Sequence, residues 1–326
     1  KKTGGIRKIS APMPRLKRLQ EWILSNILEK VPLQDAAHGF RRGRSIVTNA
    51  APHVGQDVVL NMDLENFFPT IDFPRIRGVF RKLGYSGQIS TVFALICSEP
   101  EIEEVQLDGQ AYFVATTDRR LPQGAPTSPA ITNIICRGLD ARLTGVAQRF
   151  GFTYTRYADD ITFSGSGGAL QQIGKILRQC KYIIEQEDFK VHPQKSRVFR
   201  KSSRQEVTGL SVNERLGINR QLLRRFRALL FQIDRDGPSG KHWGHSTDVM
   251  TSIEGFANFI AMVNPDQGQI FQQRVRQLHE KHGRGQRMYN QRNRWNDQEV
   301  VTHLPDSSEK PELPAEMKKK PWWKFW

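Results

Sequence analysis

The sequence predicts an α+β fold, and three observations predict it. Short strand-length runs at 58–63, 153–157 and 161–163 stand among longer stretches with helical spacing. Two of those runs flank Ala158-Asp159-Asp160, so they read as one antiparallel hairpin. From 215 onward every periodic stretch is helical, which sets a helical unit after a mixed one. The chain has 326 residues, enough for two or three packed units around sizeable cores.

Taken in order, 3–5 reads as a turn and 6–11 as a short strand. A helix follows, with Leu16, Leu19, Ile23 and Ile27 on one face, and Pro32 ends it. The run at 58–63 is apolar and ends in an acid, which suggests a buried strand. Residues 73–98 hold an amphipathic helix pair broken at Gly84, and 104–116 a hairpin around Asp108-Gly109. Residues 129–150 read as one long helix, followed by the hairpin at 153–163. Gly167 and Gly168 open a helix over 169–187, and 195–209 contains two further strand-like runs. Leu222, Leu223, Phe226, Leu229 and Leu230 then form a helical stripe, with Arg220, Arg224, Arg225 and Arg227 largely off it. Two more helices, 251–263 and 268–282, are separated by Asn264-Pro265. Beyond 284 the chain is polar and Pro-rich without periodicity, a composition expected to stay disordered or to fold only on a partner.

Composition narrows the class of partner. Lys plus Arg is 49 against 33 Asp plus Glu, a net charge of +16, which favours a polyanion. Mean hydropathy is −0.54, and no apolar run reaches the roughly 18 residues a membrane-spanning helix needs, so no membrane partner is expected. Cys97, Cys136 and Cys180 are far apart and odd in number, which suits reduced structural thiols in a cytosolic protein. The chain opens on Lys1 with no visible signal peptide, so its natural start is expected upstream.

Against this basic background two acidic features stand out. Asp63 closes the apolar run, and Asp159-Asp160 sit together at a hairpin tip. Adjacent aspartates repel, and a divalent cation is what reconciles them. Mg²⁺ takes hard oxygen ligands, usually a few carboxylates plus substrate phosphates. Two such ions can lower the pKa of an attacking hydroxyl and stabilise the leaving oxygen of an in-line displacement.

The order of motifs sharpens this. The strand ending in Asp63 is followed by Phe67-Phe68, then by 121–129 (LPQGAPTSP), then by Tyr157-Ala158-Asp159-Asp160. In this order and spacing the chain resembles a reverse transcriptase. Asn49-Ala50-Ala51-Pro52-His53 matches the NAxxH signature of retron reverse transcriptases, and Val207-Thr208-Gly209 matches their VTG signature. His38-Gly39-Phe40 followed by Gly43-Arg44-Ser45-Ile46 is typical of the fingers of that family. The resemblance covers residues 3–283.

The resemblance implies a right-hand polymerase. Fingers would occupy 1–57 with 73–118 contributing, the palm 58–209 (an antiparallel sheet plus helices), and a helical thumb 210–283, leaving 284–326 as a tail. It implies RNA-directed DNA polymerisation with two Mg²⁺ ions, Mn²⁺ being the alternative ion. The metal ligands would be Asp63, Asp159 and Asp160, completed by the Leu64 carbonyl, with Asp160 contributing less directly. Phe68 would be the aromatic gate that leaves no room for a 2′-OH. Gln123 and Gly124 would contact the nucleotide and the template backbone, and glycine suits that close approach. Arg7 would grip the triphosphate, with Arg41 and Arg42 as alternatives. Lys195 would protonate the pyrophosphate leaving group or be an ordinary surface lysine. Val207, Thr208 and Gly209 would grip the primer, and Arg220 and Arg224 would track a duplex through its phosphates. Asn49 and His53 would face the structured template RNA, unless His53 is purely structural.

Family membership further implies a dedicated structured RNA as template and primer, dNTPs as substrates, and RNA-linked msDNA as product. It also implies an effector protein, a role in antiphage defence, and the bacterial cytoplasm. The tail carries Trp295, Trp322, Trp323 and Trp326 beside lysines, and is expected to dock a partner protein or nucleic acid. A group II intron-like or other bacterial defence reverse transcriptase is the alternative; it shares the palm but not normally both signatures. A non-enzymatic RNA-binding scaffold comes third, since it predicts a lost carboxylate and none is lost.

Overall fold

The computed structural model describes residues 9–244, 246 and 248–283. The expected turn at 3–5, Arg7 and the tail lie outside them. Within the described part the chain runs α1 (Pro14–Asn26), α2 (Ile46–Ala50), β1 (Val58–Asp63), α3 (Phe73–Lys82) and α4 (Gly87–Cys97), then the hairpin β2 (Ile102–Leu107) and β3 (Gln110–Ala115). Next come α5 (Ser128–Ile135), α6 (Arg137–Arg149), β4 (Phe152–Tyr157), β5 (Asp160–Gly165) and α7 (Ile173–Gln186). The short strands β6 (Arg197–Arg200), β7 (Glu206–Val207) and β8 (Leu210–Ser211) follow, and α8 (Arg220–Asp236), α9 (Val249–Val263) and α10 (Pro265–His282) close the described chain. The fold is α+β, as the periodicity predicts.

One antiparallel sheet, ordered β4-β5-β1-β6, positions the site. Strand residues alternate between faces, and β1 uses both. Val58, Leu60 and Met62 join a core built with α3 to α7, whereas Val59 joins a second core with Val207, Leu210 and the buried stripes of α8 to α10. The central strand is thus clamped from both sides, so its acidic end is held by two cores. The expected break between 209 and 210 falls inside the tight β7–β8 turn.

Three local expectations differ from the structure. The part of 6–11 that is described is irregular, tied by the Ser10 N–H to the Gln123 carbonyl at 2.7 Å. On α1 the buried residues are Gln20 and Ile23, continued by Ile27 just past its end, while Leu16 and Leu19 are 39% and 43% exposed. Gln20 takes its place inside because its amide donates to the Ile96 carbonyl at 2.8 Å, so the polar side chain is not buried unpaired. The helix ends at Asn26, ahead of a single tight turn (Leu28–Lys30), so Pro32 is not what stops it. The helix expected over 129–150 is two, broken at the buried Cys136 (ψ 1°). No proline marks that corner, which is why the apolar spacing reads straight through it.

All three cysteines are free and buried, and burial pushes their thiols up to about 12, which makes them inert structural groups. Among the described residues no helix is long and apolar enough to cross a membrane.

Candidate active site

The site is built by strand register. β1 pairs antiparallel with β5 from Val58↔Gly165 to Asp63↔Asp160. Directly opposed residues of such a pair place their side chains on the same face, so two carboxylates stand side by side at the sheet end. β5 pairs in turn with β4, from Phe152↔Gly165 to Tyr157↔Asp160, leaving Ala158-Asp159 as a two-residue turn. Ala158 has φ +57°, the left-handed conformation such turns require. The turn is fixed to β1 by the Leu64 N–H, which donates to the Asp159 carbonyl at 3.0 Å.

A third segment closes the other side. The His192 N–H donates to the Asp63 carbonyl at 2.7 Å, and the Glu65 N–H to the Lys190 carbonyl at 2.8 Å. This brings Lys195 to the site, where Nζ lies 2.7 Å from Asp63 Oδ1. Asp63, Leu64, Asp159, Asp160 and Lys195 are therefore one cluster, although 132 residues separate Asp63 from Lys195.

The electrostatics are those of crowded acids. Asp160 is solvent-exposed overall, yet its carboxyl is pushed up to about 6. Lost hydration against the strand ends is the main cause, followed by the charges of Asp159 and Asp63, with Lys195 acting in the opposite direction. Hard oxygen donors with surplus negative charge fit a divalent cation. Among the described residues no three acidic, histidine or cysteine side chains close on one point as they stand, and the Lys195 ammonium supplies the positive charge at Asp63.

The other expected residues are arranged around this cluster. Phe68 is half-buried, its ring 6.2 Å from Phe40, which lies 6.3 Å from Tyr157 on the hairpin, so an aromatic wall runs beside the carboxylates. Gly124 has φ +123°, and a Cβ there would meet the Ser10 carbonyl at 2.6 Å, so backbone passes too closely for any side chain. Thr208 and Gly209 form a tight turn with φ +47° and +83°. That turn is held by Thr208 Oγ1 donating to the Ile46 carbonyl and by Asn61 Nδ2 donating to the Glu206 carbonyl. Asn61 lies two residues before Asp63 on the same face of β1, so it ties the 207–209 turn towards the acids. Val207 itself is fully buried. Arg220 and Arg224 are exposed on α8 and line a cleft with Arg204, Arg215 and Arg227.

Asn49 corrects an expectation, and for His53 the purely structural alternative holds. Both are completely enclosed, so neither side chain faces RNA. His53 Nδ1 lies 2.6 Å from Ser164 Oγ and Nε2 2.7 Å from Thr155 Oγ1, which locks the segment after α2 onto β4 and β5. Burial, then the charge of His38, lowers the His53 pKa from 6.5 to about 3. The folded state therefore keeps His53 neutral while the unfolded chain takes up a proton below 6.5. Its stabilisation is full above that value and is lost as pH falls from 6.5 towards 3, at up to ~1.4 kcal/mol per pH unit. Urea unfolding at neutral pH and at pH 5 is expected to show a drop in stability that shrinks in His53→Gln. An equal drop in both proteins would refute the assignment.

A buried network behind the turn was not legible as a site. Arg156, in the middle of β4, is fully buried. Its Nε and Nη2 donate to the two Asp140 carboxylate oxygens of α6, each at 2.7 Å. Nη2 also reaches Asn133 Oδ1 at 3.1 Å, and Nη1 donates to the Ala158 carbonyl at 3.0 Å, inside the acidic turn. Burial pulls the guanidinium pKa down, but Asp140 outweighs it and the net shift is upward, so the pair stays ionised. Tyr154 Oη donates to the same carboxylate at 2.8 Å. On the opposite side Gly39 lies so close that a Cβ would meet the Ala158 nitrogen at 2.5 Å. The signal was present in the sequence: Asp140 sits on the apolar stripe of α6 between Leu139 and Leu143, where an acid needs a buried cationic partner.

Residues 1–212 match the reverse transcriptase (RNA-dependent DNA polymerase) family. The chain belongs to that family, within its retron branch. It is 41% identical over 292 residues to the retron Mx162 reverse transcriptase of Myxococcus xanthus, covering 85% of this chain and 59% of that protein. It is 33% identical over 283 residues to the retron Ec86 reverse transcriptase of Escherichia coli, covering 86% of this chain and 78% of that one. The chain thus spans about three fifths of the Mx162 relative. A solved telomerase from Candida tropicalis, complexed with a fragment of telomeric RNA, overlays 82% of this chain on 45% of its own at a TM-score of 0.43 and 9% identity, too loosely to add to the assignment.

Proposed function

We propose that this chain is the RNA-directed DNA polymerase of a bacterial retron. It copies a dedicated structured RNA into RNA-linked msDNA from dNTPs, in the bacterial cytoplasm, beside an effector protein in antiphage defence. The observation that carries the reading is the Asp63↔Asp160 register with Asp159 on the adjoining turn. Two opposed acids destabilise a sheet, and a transfer reaction on phosphates gives them a purpose.

Asp63, Asp159, Asp160 and the Leu64 carbonyl would hold two Mg²⁺ or Mn²⁺ ions. Those ions, when bound, would supply charge neutralisation and a lowered pKa for the primer hydroxyl. The protein residues do the positioning. Lys195, freed from Asp63, is placed to give a proton to the departing pyrophosphate. The Phe68 ring forms the wall against which a deoxyribose fits and a 2′-OH does not. Gln123 and Gly124 bring backbone close to the nucleotide and template, and Arg7 grips the triphosphate from the fingers. The 207–209 turn, tied to β1 by Asn61, holds the primer end near the acids. Arg220 and Arg224 neutralise duplex phosphates, a contact that is insensitive to sequence and sensitive to salt.

The test is to purify the protein from its bacterial host and sequence the nucleic acid that stays bound. A branched RNA–DNA species is expected. Spliced intron RNA, or no nucleic acid, would overturn the retron reading.

A further inference from the structure

Two apolar surfaces of the chain lie outside the carboxylate cluster, and their chemistry is complementary. The first is the β2–β3 ribbon. Every residue of both strands is exposed. The register Glu103↔Val114, Val105↔Tyr112 and Leu107↔Gln110 puts Val105, Leu107, Tyr112 and Val114 on one face, while Ile102↔Ala115 and Glu104↔Phe113 put Ile102 and Phe113 on the other. Phe113 is 74% exposed. A two-stranded ribbon is at best marginal alone in water, and one with large apolar side chains on both faces gains by being covered.

Charge says what covers it. Residues 101–117 hold Glu101, Glu103, Glu104 and Asp108 and no Lys or Arg, in a chain of net charge +16. Such a ribbon repels phosphate, so nucleic acid is not its partner. Pairing ribbon to ribbon would set the glutamates of two copies against each other. The ribbon calls for an apolar surface edged with positive charge.

The second surface has that character. α8 and α10 leave a groove of about 510 Å³ between them. Leu230 and Phe271 line it, Phe231 and Ile270 stand 60% and 68% exposed at it, and Arg227 and Arg274 edge it. No acidic side chain lines the groove. The Arg227 guanidinium lies 5.5 Å over the Phe271 ring, and Arg274 is paired with Asp234 just outside, which holds both cations in place.

We propose that the β2–β3 ribbon of one copy seats in the α8–α10 groove of a second copy. Phe113 enters the groove, and Glu104, opposite it in register on the same face, meets Arg227. The contact joins two different surfaces, so it is head-to-tail and leaves a free ribbon and a free groove at the ends for further copies. A strand of six residues is only about 20 Å long. The interface is therefore at the small end of the stable range, and association is weak and concentration-dependent.

Sedimentation velocity on the full chain tests this. At low salt and rising concentration the parent is expected to form species beyond dimers, and salt is expected to dissolve them. Phe113→Lys and Ile270→Glu are both at exposed positions, so melting temperatures are expected to stay unchanged, and each variant alone is expected to be monomeric. Mixed in equal amounts, they retain one intact ribbon–groove contact and are expected to give a heterodimer and nothing larger. A parent that stays monomeric throughout, variants that associate like the parent, or a mixture that stays monomeric would each overturn the proposal.

Discussion

Asp63→Asn and Asp159→Asn are each expected to reduce Mg²⁺-dependent dNTP incorporation by at least about a thousandfold, while the protein melts at or above the parent temperature. The two readouts move apart for one reason. Asp63 and Asp160 oppose each other in register, and the charges of Asp159 and Asp63 help to hold the Asp160 carboxyl up at about 6. Replacing one acid by its isosteric amide removes repulsion that the fold tolerates, so stability does not suffer. The same change removes a hard anionic ligand from a site whose chemistry depends on several. Asp160→Asn is expected to cost less than Asp159→Asn. Primer extension and thermal melting on the same preparations decide the matter. Activity within tenfold of the parent, or loss of activity together with unfolding, would sink the assignment of these carboxylates.

Why those acids could be read from sequence, and other groups could not, has a physical basis. Asp63 ends an apolar strand run and Asp159-Asp160 sit at a hairpin tip, where local pattern and chemical implausibility coincide. The hairpin at 152–165 was legible because its partners are adjacent in the chain. For His53 a structural role could be named only as an alternative, since the groups that enclose it, Thr155 and Ser164, lie 102 and 111 residues away. A polar motif between other motifs reads as a contact surface until the tertiary fold shows it inside. The break at Cys136 was hidden for a related reason. The corner serves the network behind the turn, placing Asn133 on α5 and Asp140 on α6 so that both reach Arg156. Lys195 could be assigned a role in sequence, but its contact with Asp63 depends on the 190–192 segment being laced to 63–65 by backbone bonds.

The Arg156–Asp140 pair separates stability from positioning. Asp140→Leu alone strands a guanidinium with no exposure to water and is expected to destabilise the fold by about 3–5 kcal/mol. Arg156→Met alone leaves a buried carboxylate still bonded to the Tyr154 hydroxyl, and is expected to cost nearly as much. The double variant Asp140→Leu/Arg156→Met removes both charges together, and an apolar pair of similar volume is expected to restore most of that loss. It does not restore the bond from Arg156 Nη1 to the Ala158 carbonyl, which fixes the turn carrying Asp159. The refolded double variant is therefore expected to incorporate dNTPs about 10–100-fold more slowly than the parent, the loss falling on kcat rather than on KM, as when a group orienting a metal ligand is removed. Denaturant unfolding of the four proteins of the cycle measures the first effect, and steady-state incorporation measures the second. If the double variant regains both stability and full kcat, Arg156 is only a core residue; if it regains stability and stays slow, it is the group that aims the acidic turn.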